Sequence, residues 1–390
     1  MILIILYIRE RRHFAGANEP ADFMPASWQQ EVKMKCNNDG CYGDYENFRI
    51  HFTIDPVMQD LSERLLQQHN PAMGIFIAVK PETGSVLAMA GHMRKAKRIS
   101  SENSRPGFLS PFIRSGDYPM ASLMKIVTAS AAIEKGIFSS RSVMECRGVT
   151  RFDHGSVHDP AGVKHGSVSL SDAMGYSCNP ILASVAVKIG RANLEHYMKK
   201  FLIGSEINFD LPLLESTYTI GEDEYSLGST GAGFGEVYIS PIHAAMIASA
   251  VMNRGTMMQP YIIKNIEKDG KIIFRRKPQV LARPIKKDTA LFLARMMEST
   301  VHNQRGTAYR GFYKNGRYIA APLKVAGKTG SLNGKTPHEQ FTWMIGFAKW
   351  EKGNTFAFAC LVMNDENWTI KAASFSGQFF RHYAHLIKYK

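Results

Sequence analysis

Ser122-Leu123-Met124-Lys125 is the stretch on which the reading of this chain turns. A spacing of three puts a hydroxyl and an amine on one helical face, one turn apart. The apolar run behind it predicts a helix from Ser122 to Glu134 that stops at Gly136. At a helix start the backbone N–H groups lack intrahelical partners and favour negative charge. A serine there becomes a nucleophile when a base takes its proton. A lysine is such a base when burial and nearby positive charge keep it neutral. The same four residues also describe an N-cap serine beside a solvated lysine, so the stretch needs company.

Two further groups supply it. Ser177-Cys178-Asn179 precedes Pro180, and on a loop its hydroxyl and amide can relay a proton and hold a substrate amide. Lys328-Thr329-Gly330-Ser331 closes a strand-like run from Val325 to Thr329. There the Lys and Thr suit a substrate carboxylate, and the Gly lets a substrate backbone approach an edge strand. Alone, each group also reads as a capped turn or a basic strand end. Their order carries more: Ser177 follows Ser122 by 55 positions and Lys328 follows Ser177 by 151.

An ordered S-x-x-K, S-x-N, K-T-G set is the signature of penicillin-binding proteins and serine β-lactamases. The chain most resembles the transpeptidase domain of class B penicillin-binding proteins. Flanking segments resemble that family too: Thr53 to Gln59, the hairpin from Val79 to Met89, and His165-Gly166. Gly233-Phe234-Gly235-Glu236 before Ser240-Pro241 also fits, with Phe234 where glutamine is usual. The resemblance spans Phe48 to Tyr389.

It implies a mixed α/β fold of the penicillin-binding protein and serine β-lactamase type, an antiparallel sheet flanked by helices plus an all-helical subdomain. It implies that Ser122 is acylated, that Lys125 is its base and that Ser177 shuttles a proton to the leaving amine. Asn179 would bind the substrate amide, with Lys328, Thr329 and Gly330 at the carboxylate end. The backbone N–H groups of Ser122 and Ser331 would form the oxyanion hole. The implied reaction is peptidoglycan D,D-transpeptidation of stem peptides, inhibited by β-lactam antibiotics, with no cofactor. A D,D-carboxypeptidase, a class D-like β-lactamase, and a non-turnover sensor or wall-binding module remain open at this point.

Pattern along the rest of the chain agrees. Phe48, Ile50 and Phe52 alternate with polar residues as in a strand, and Asp55 can cap a helix with Val57, Leu61, Leu65 and Leu66 on one face. Gly74 to Val79 and Ser85 to Ala90 flank a Pro/Gly turn, the mark of a hairpin. Helices are expected at Pro180–Lys188, Leu194–Phe201, from Pro241 to Met252, at Asp288–Val301 and at Phe375–Ile387. Strands are expected at Val325–Thr329, Phe341–Phe347 and Phe356–Met363, and a hairpin follows Tyr261. A sheet would thus be assembled from both chain ends.

Residues 1–47 read as an anchor stub and linker, and 48–390 as the transpeptidase domain. Met1 to Ile8 is apolar but rises only about 12 Å as a helix, short of a bilayer. The formal charge of +14 is scattered, with a cluster at Lys95 to Arg98, and suits an anionic membrane or cell-wall surface. No nucleic-acid-binding signature accompanies it. The expected location is the cell envelope, at the outer face of the cytoplasmic membrane or periplasm. Cys36 and Cys41 can close a small loop in an oxidising compartment. Cys146, Cys178 and Cys360 show no metal-ligand spacing. Asp153, His154, His158, Asp159 and His165 match no standard site, so no metal is expected.

Overall fold

The computed structural model describes residue 20 and residues 28–37, 40–94, 111–139, 142–334, 338–350 and 355–388. The Met1–Ile8 stub and the Lys95–Arg98 cluster lie outside the described residues. Strands β1 (Lys35–Asn37), β2 (Gly40–Tyr45) and β3 (Phe48–Phe52) come first. Helix α1 (Pro56–His69) follows, capped by Asp55, whose carboxylate accepts from the N–H groups of Val57 and Met58 at 2.9 Å. Strands β4 (Met73–Val79) and β5 (Val86–Met93) then form the expected hairpin. Gly84 at its turn has φ +83°, and a Cβ there would stand 2.1 Å from the Gln259 carbonyl oxygen, so the tight turn requires glycine.

The middle of the chain is a helical layer: α2 (Met124–Glu134), α3 (Leu170–Gly175), α4 (Asn179–Ile189), α5 (Arg191–Lys200), α6 (Glu224–Ala232) and α7 (Pro241–Met252). Short antiparallel ladders run among them, pairing Val143–Cys146 with Gly166–Ser169 and Val149–Phe152 with Gly155–His158. Helix α7 opens on the Ser240 cap and Pro241, and it is buried on every side, as its mostly apolar sequence, interrupted only by His243 and Ser249, requires. Strands β6 (Ile263–Lys268) and β7 (Lys271–Arg275) and helix α8 (Lys287–His302) precede the last strands. These are β8 (Lys324–Asn333), β9 (Gln340–Lys349) and β10 (Thr355–Asn364), and helix α9 (Ala372–Lys388) closes the chain.

The main sheet is antiparallel in the order β8-β9-β10-β4-β5, so both ends of the sequence build it. All seven residues of β4 are buried, because helices cover both faces. Alternation assigns the faces: Ile75, Ile77 and Val79 join the core under the helical layer, while Phe76 and Ala78 join the core under α1 and α9. Phe76 meets Phe379 there with ring centroids 4.2 Å apart.

A second antiparallel sheet runs β1-β2-β3-β6-β7, so Lys35–Asn37 and Gly40–Tyr45 are strands where a linker was expected. Trp28 and Val32 are buried, Trp28 against Phe52, and a Cys36–Cys41 disulfide joins opposed residues of β1 and β2. Gly40, Gly43 and Asp44 thus belong to a strand of this sheet rather than to a linker. No helix among the described residues is long and apolar enough to cross a membrane.

Candidate active site

The S-x-x-K segment does not enter its helix directly. Ala121–Leu123 forms one 3-10 turn and α2 begins at Met124, with Ala121 at φ +51°. A left-handed alanine is costly and is held by its surroundings. Gly233, in the segment that resembles the family's G-x-G stretch, sits behind it. A Cβ on Gly233 would come within 2.3 Å of the Ala121 carbonyl oxygen and 2.7 Å of the Ser122 nitrogen. Trp343 on β9 anchors the approach from the sheet side, donating Nε1–H to the Pro119 carbonyl at 2.9 Å.

Helix α2 is the central helix of its layer, with nine consecutive buried residues from Met124 to Ala132. This carries Lys125 inside. Its Nζ lies 2.9 Å from Ser122 Oγ, 3.1 Å from Ser177 Oγ, 2.9 Å from the Ser177 carbonyl and 2.6 Å from Asn179 Oδ1. Burial depresses its pKa from the ordinary lysine value to about 7, against the opposing fields of Cys178 and Asp159. Near neutral pH its amine is therefore partly unprotonated.

Lys328 completes the core from the edge strand. On β8 it stands opposite Ile345, which faces the helical layer, so its side chain lies on that same side. Its Nζ donates to Ser177 Oγ at 2.8 Å and to the Thr329 carbonyl at 2.9 Å. It is fully buried, and desolvation followed by the field of Lys125 holds its pKa well below the usual lysine range. Ser177 Oγ thus bridges two buried amines, and its residue is itself left-handed at φ +58°. Gly330, opposite Trp343, leaves open the edge beside the Ala121 turn, where an added Cβ would touch the Ala121 Cβ at 3.4 Å. Ser331 follows on the same strand.

The three motifs therefore converge on one point, and they do so through partners that the sequence reading missed. Asn179 donates Nδ2–H to the His158 carbonyl at 2.9 Å, and its backbone N–H donates to Asp159 Oδ1 at 2.7 Å. The other amide hydrogen of Asn179 has no hydrogen-bond partner among the described residues. The segment after α8 holds both sides of the cleft: Thr307 Oγ1 meets Thr329 Oγ1 at 2.5 Å, and Thr307 N–H donates to the Gly175 carbonyl at 3.1 Å. Arg305 stacks over Tyr176, 4.4 Å from its ring. Only the Gly306 turn between them hinted at this role, since a Cβ there would meet the Thr300 carbonyl oxygen at 2.4 Å.

The stretch from His154 to His165 also holds a grouping that its linear spacing did not show. Asp159 and His165 converge with Cys146 and Cys178, every donor atom within 4.8 Å of the others. Asp153, His154 and His158 are not part of that group. Linear spacing hid it because its four members come from a strand end, a turn, a loop and the start of α4.

An antiparallel sheet backed by helices, with a serine and two buried amines at its edge, defines the serine penicilloyl-transferase class of fold. Comparison with known proteins agrees. Residues 74–382 match the family described as "Penicillin binding protein transpeptidase domain", and the chain belongs to that family. It is 25% identical over 327 residues to peptidoglycan D,D-transpeptidase PbpA of Mycolicibacterium smegmatis, covering 77% of this chain and 64% of that protein. Stage V sporulation protein D of Bacillus subtilis is 25% identical over 77% of this chain and 47% of its own. The chain thus spans between about half and two thirds of these relatives' length. Among solved structures, PBPA from Mycobacterium tuberculosis superposes with a TM-score of 0.72 at 22% identity, covering 86% of this chain and 80% of that one. Its penicillin G acyl-enzyme complex gives 0.71 at 21%, with 86% and 80% covered.

Proposed function

We propose that this chain is a peptidoglycan D,D-transpeptidase that works through an acyl-enzyme on Ser122. The observation that carries the reading is Lys125, fully buried, with Nζ 2.9 Å from Ser122 Oγ and a pKa lowered to about 7. Neutral Lys125 takes the Ser122 proton as Oγ attacks the carbonyl carbon of the penultimate D-alanine. The negative charge that develops on oxygen falls to the backbone N–H groups of Ser122 and Ser331. The intermediate collapses by breaking the C–N bond to the terminal D-alanine. That amine leaves with a proton passed from Lys125 through Ser177 Oγ, which lies 3.1 Å from it.

Lys328 and Thr329 hold the terminal carboxylate of the donor, whose charge restores the Lys328 proton that burial disfavours. Asn179 orients Lys125 through Oδ1 and offers its remaining amide hydrogen to the donor peptide. An acceptor amine from a neighbouring strand then attacks the ester carbonyl, and Ser122 recovers its proton. A β-lactam acylates the same oxygen by opening its ring. The substrate places the domain at the cell envelope, outside the cytoplasmic membrane, and the net charge of +14 suits anionic wall or membrane there.

The test is intact-protein mass spectrometry after incubation with benzylpenicillin, for the native chain and Ser122→Ala. A long-lived penicilloyl adduct on the native chain alone is expected. A transient adduct with continuing antibiotic loss would replace transpeptidase by β-lactamase. A folded chain that forms no adduct would sink the reading.

A further inference from the structure

We propose that Cys146, Asp159, His165 and Cys178 form a tetrahedral zinc site that braces the loop carrying Ser177 and Asn179. Cys146 ends a short strand, Asp159 follows the Gly155–His158 strand, His165 precedes Gly166, and Cys178 lies between Ser177 and Asn179. Cys146 Sγ stands 3.4 Å from Asp159 Oδ2, 3.5 Å from His165 Nδ1 and 3.2 Å from Cys178 Sγ. Asp159 Oδ2 stands 3.3 Å from Cys178 Sγ and 3.1 Å from His165 Nδ1. Zinc bonds of about 2.0–2.3 Å in a tetrahedron put donors roughly 3.3–3.8 Å apart. Four of these five edges fall within a few tenths of an ångström of that cage, and the two sulfurs would open by roughly half an ångström on the metal.

The donors also have the right chemistry and setting. Two sulfurs, an imidazole nitrogen and a carboxylate oxygen select zinc over magnesium or calcium, which take oxygen cages. The two sulfurs stand 3.2 Å apart and unbonded. They are well beyond the ~2.05 Å of a disulfide. Cys146, Cys178 and Asp159 are buried and His165 is nearly so, with 11% of its side chain exposed.

Outer contacts orient the ligands, as metal sites require. Asp159 turns its other oxygen to the Asn179 backbone N–H at 2.7 Å, and the His165 ring packs on Tyr176 at 5.3 Å. Four protein ligands leave no open position, so the ion is structural and takes no part in acyl transfer. Binding proceeds with loss of the two thiol protons to solvent. The metal then fixes, through Cys178, the residue between two side chains that reach Lys125. Cys360, buried on β10 in the opposite core, is outside this group.

The inference stands apart from the proposed activity, because metal content is read without reference to acylation. The full chain, purified natively without chelators, is expected to carry one zinc per molecule by elemental mass spectrometry. Exchange for cobalt(II) should give thiolate-to-cobalt charge-transfer absorption and the intense visible bands of a tetrahedral ion. Cys146→Ser and Cys178→Ser should each weaken zinc binding by more than the ~100-fold that even an outer contact can cost. Cys360→Ser should not change it. If a substituted chain fails to fold, the cobalt spectrum of the unaltered chain decides alone. A reduced, folded chain that holds no zinc and gives no thiolate–cobalt band would overturn the site. So would recovery of a Cys146–Cys178 disulfide from metal-replete protein. A zinc-loaded chain that is not acylated by benzylpenicillin would instead sink the functional reading and leave the site standing.

Discussion

The cleft has two walls, and they are held by different physics. The wall that carries Lys328 is the edge of a five-stranded sheet, where ten paired positions between β8 and β9 fix its register. A one-residue slip would move Lys328 to the opposite face, so the ladder itself places the amine. The wall that carries Ser177 and Asn179 is the junction of α3 and α4, with Asn179 the first residue of α4. Beyond two backbone bonds to α3, from Ser177 N–H to the Met174 carbonyl and from Cys178 N–H to the Ala173 carbonyl, it is held by side chains: Asp159 to the Asn179 nitrogen, Asn179 to the His158 carbonyl, and the Cys146, Asp159, His165 and Cys178 group behind them. Backbone ladders tolerate substitution of single side chains, whereas a wall built of side chains does not. The comparison teaches that the wall carrying Ser177 and Asn179 is the fragile one.

The largest expected effects lie where the two walls meet. Ser122→Ala abolishes penicilloyl adduct formation, and Lys125→Ala slows it by about 10²–10⁴-fold, the usual worth of a positioned base. Stopped-flow or time-resolved mass measurement separates the two. A Lys125→Ala chain acylated at the native rate would remove the base from the mechanism.

Next comes a direct contest between the walls. Asp159→Ala strips a charged acceptor from a buried N–H and is expected to cost about 2–3 kcal/mol of stability. Thr342→Val removes a β9 hydroxyl that donates to the Val362 carbonyl and accepts from Ala372 N–H, at about 1 kcal/mol. Urea unfolding compares the two, and an equal loss would erase the contrast between ladder and side-chain wall.

A pH profile sharpens the same comparison. Lys125 acts as base only when neutral, and its folded-state pKa is lowered to about 7. The acylation rate therefore stays level above that point and falls about tenfold per pH unit below it. A profile that remains flat well below pH 7 would mean that another group takes the Ser122 proton.

The smallest effect concerns the anchor between sheet and nucleophile. Trp343→Phe keeps most of the packing but loses the bond to the Pro119 carbonyl, at about 1 kcal/mol by thermal or urea unfolding. A chain that lost nothing would show that Gly233 alone supports the Ala121 turn.

Legibility in the sequence follows the same division. The hairpin of β4 and β5, the late strands and most helices could be read from period and turn residues, because those patterns are local. Bounds ran short where a strand continued past its apolar run, as β8 does from Thr329 to Asn333. The hairpin before Phe48 was missed because its strands are short and rich in Gly, Asn and Asp, and β1 is exposed throughout. Thr307 and Arg305 gave almost no signal, since a threonine and an arginine after a helix look like any surface turn.

The sequence by itself determined the order and identity of the motifs. Ser122, Lys125, Ser177, Asn179 and Lys328 were visible because the chemistry needs those residue types at helix starts and strand ends. Only the tertiary structure decided that Lys125 and Lys328 are both buried against one hydroxyl, because burial depends on what distant segments cover. The same holds for the two cysteines, the aspartate and the histidine behind the loop. They lie apart along the chain with no regular period, and only packing of the helical layer brings their donor atoms into one small cage.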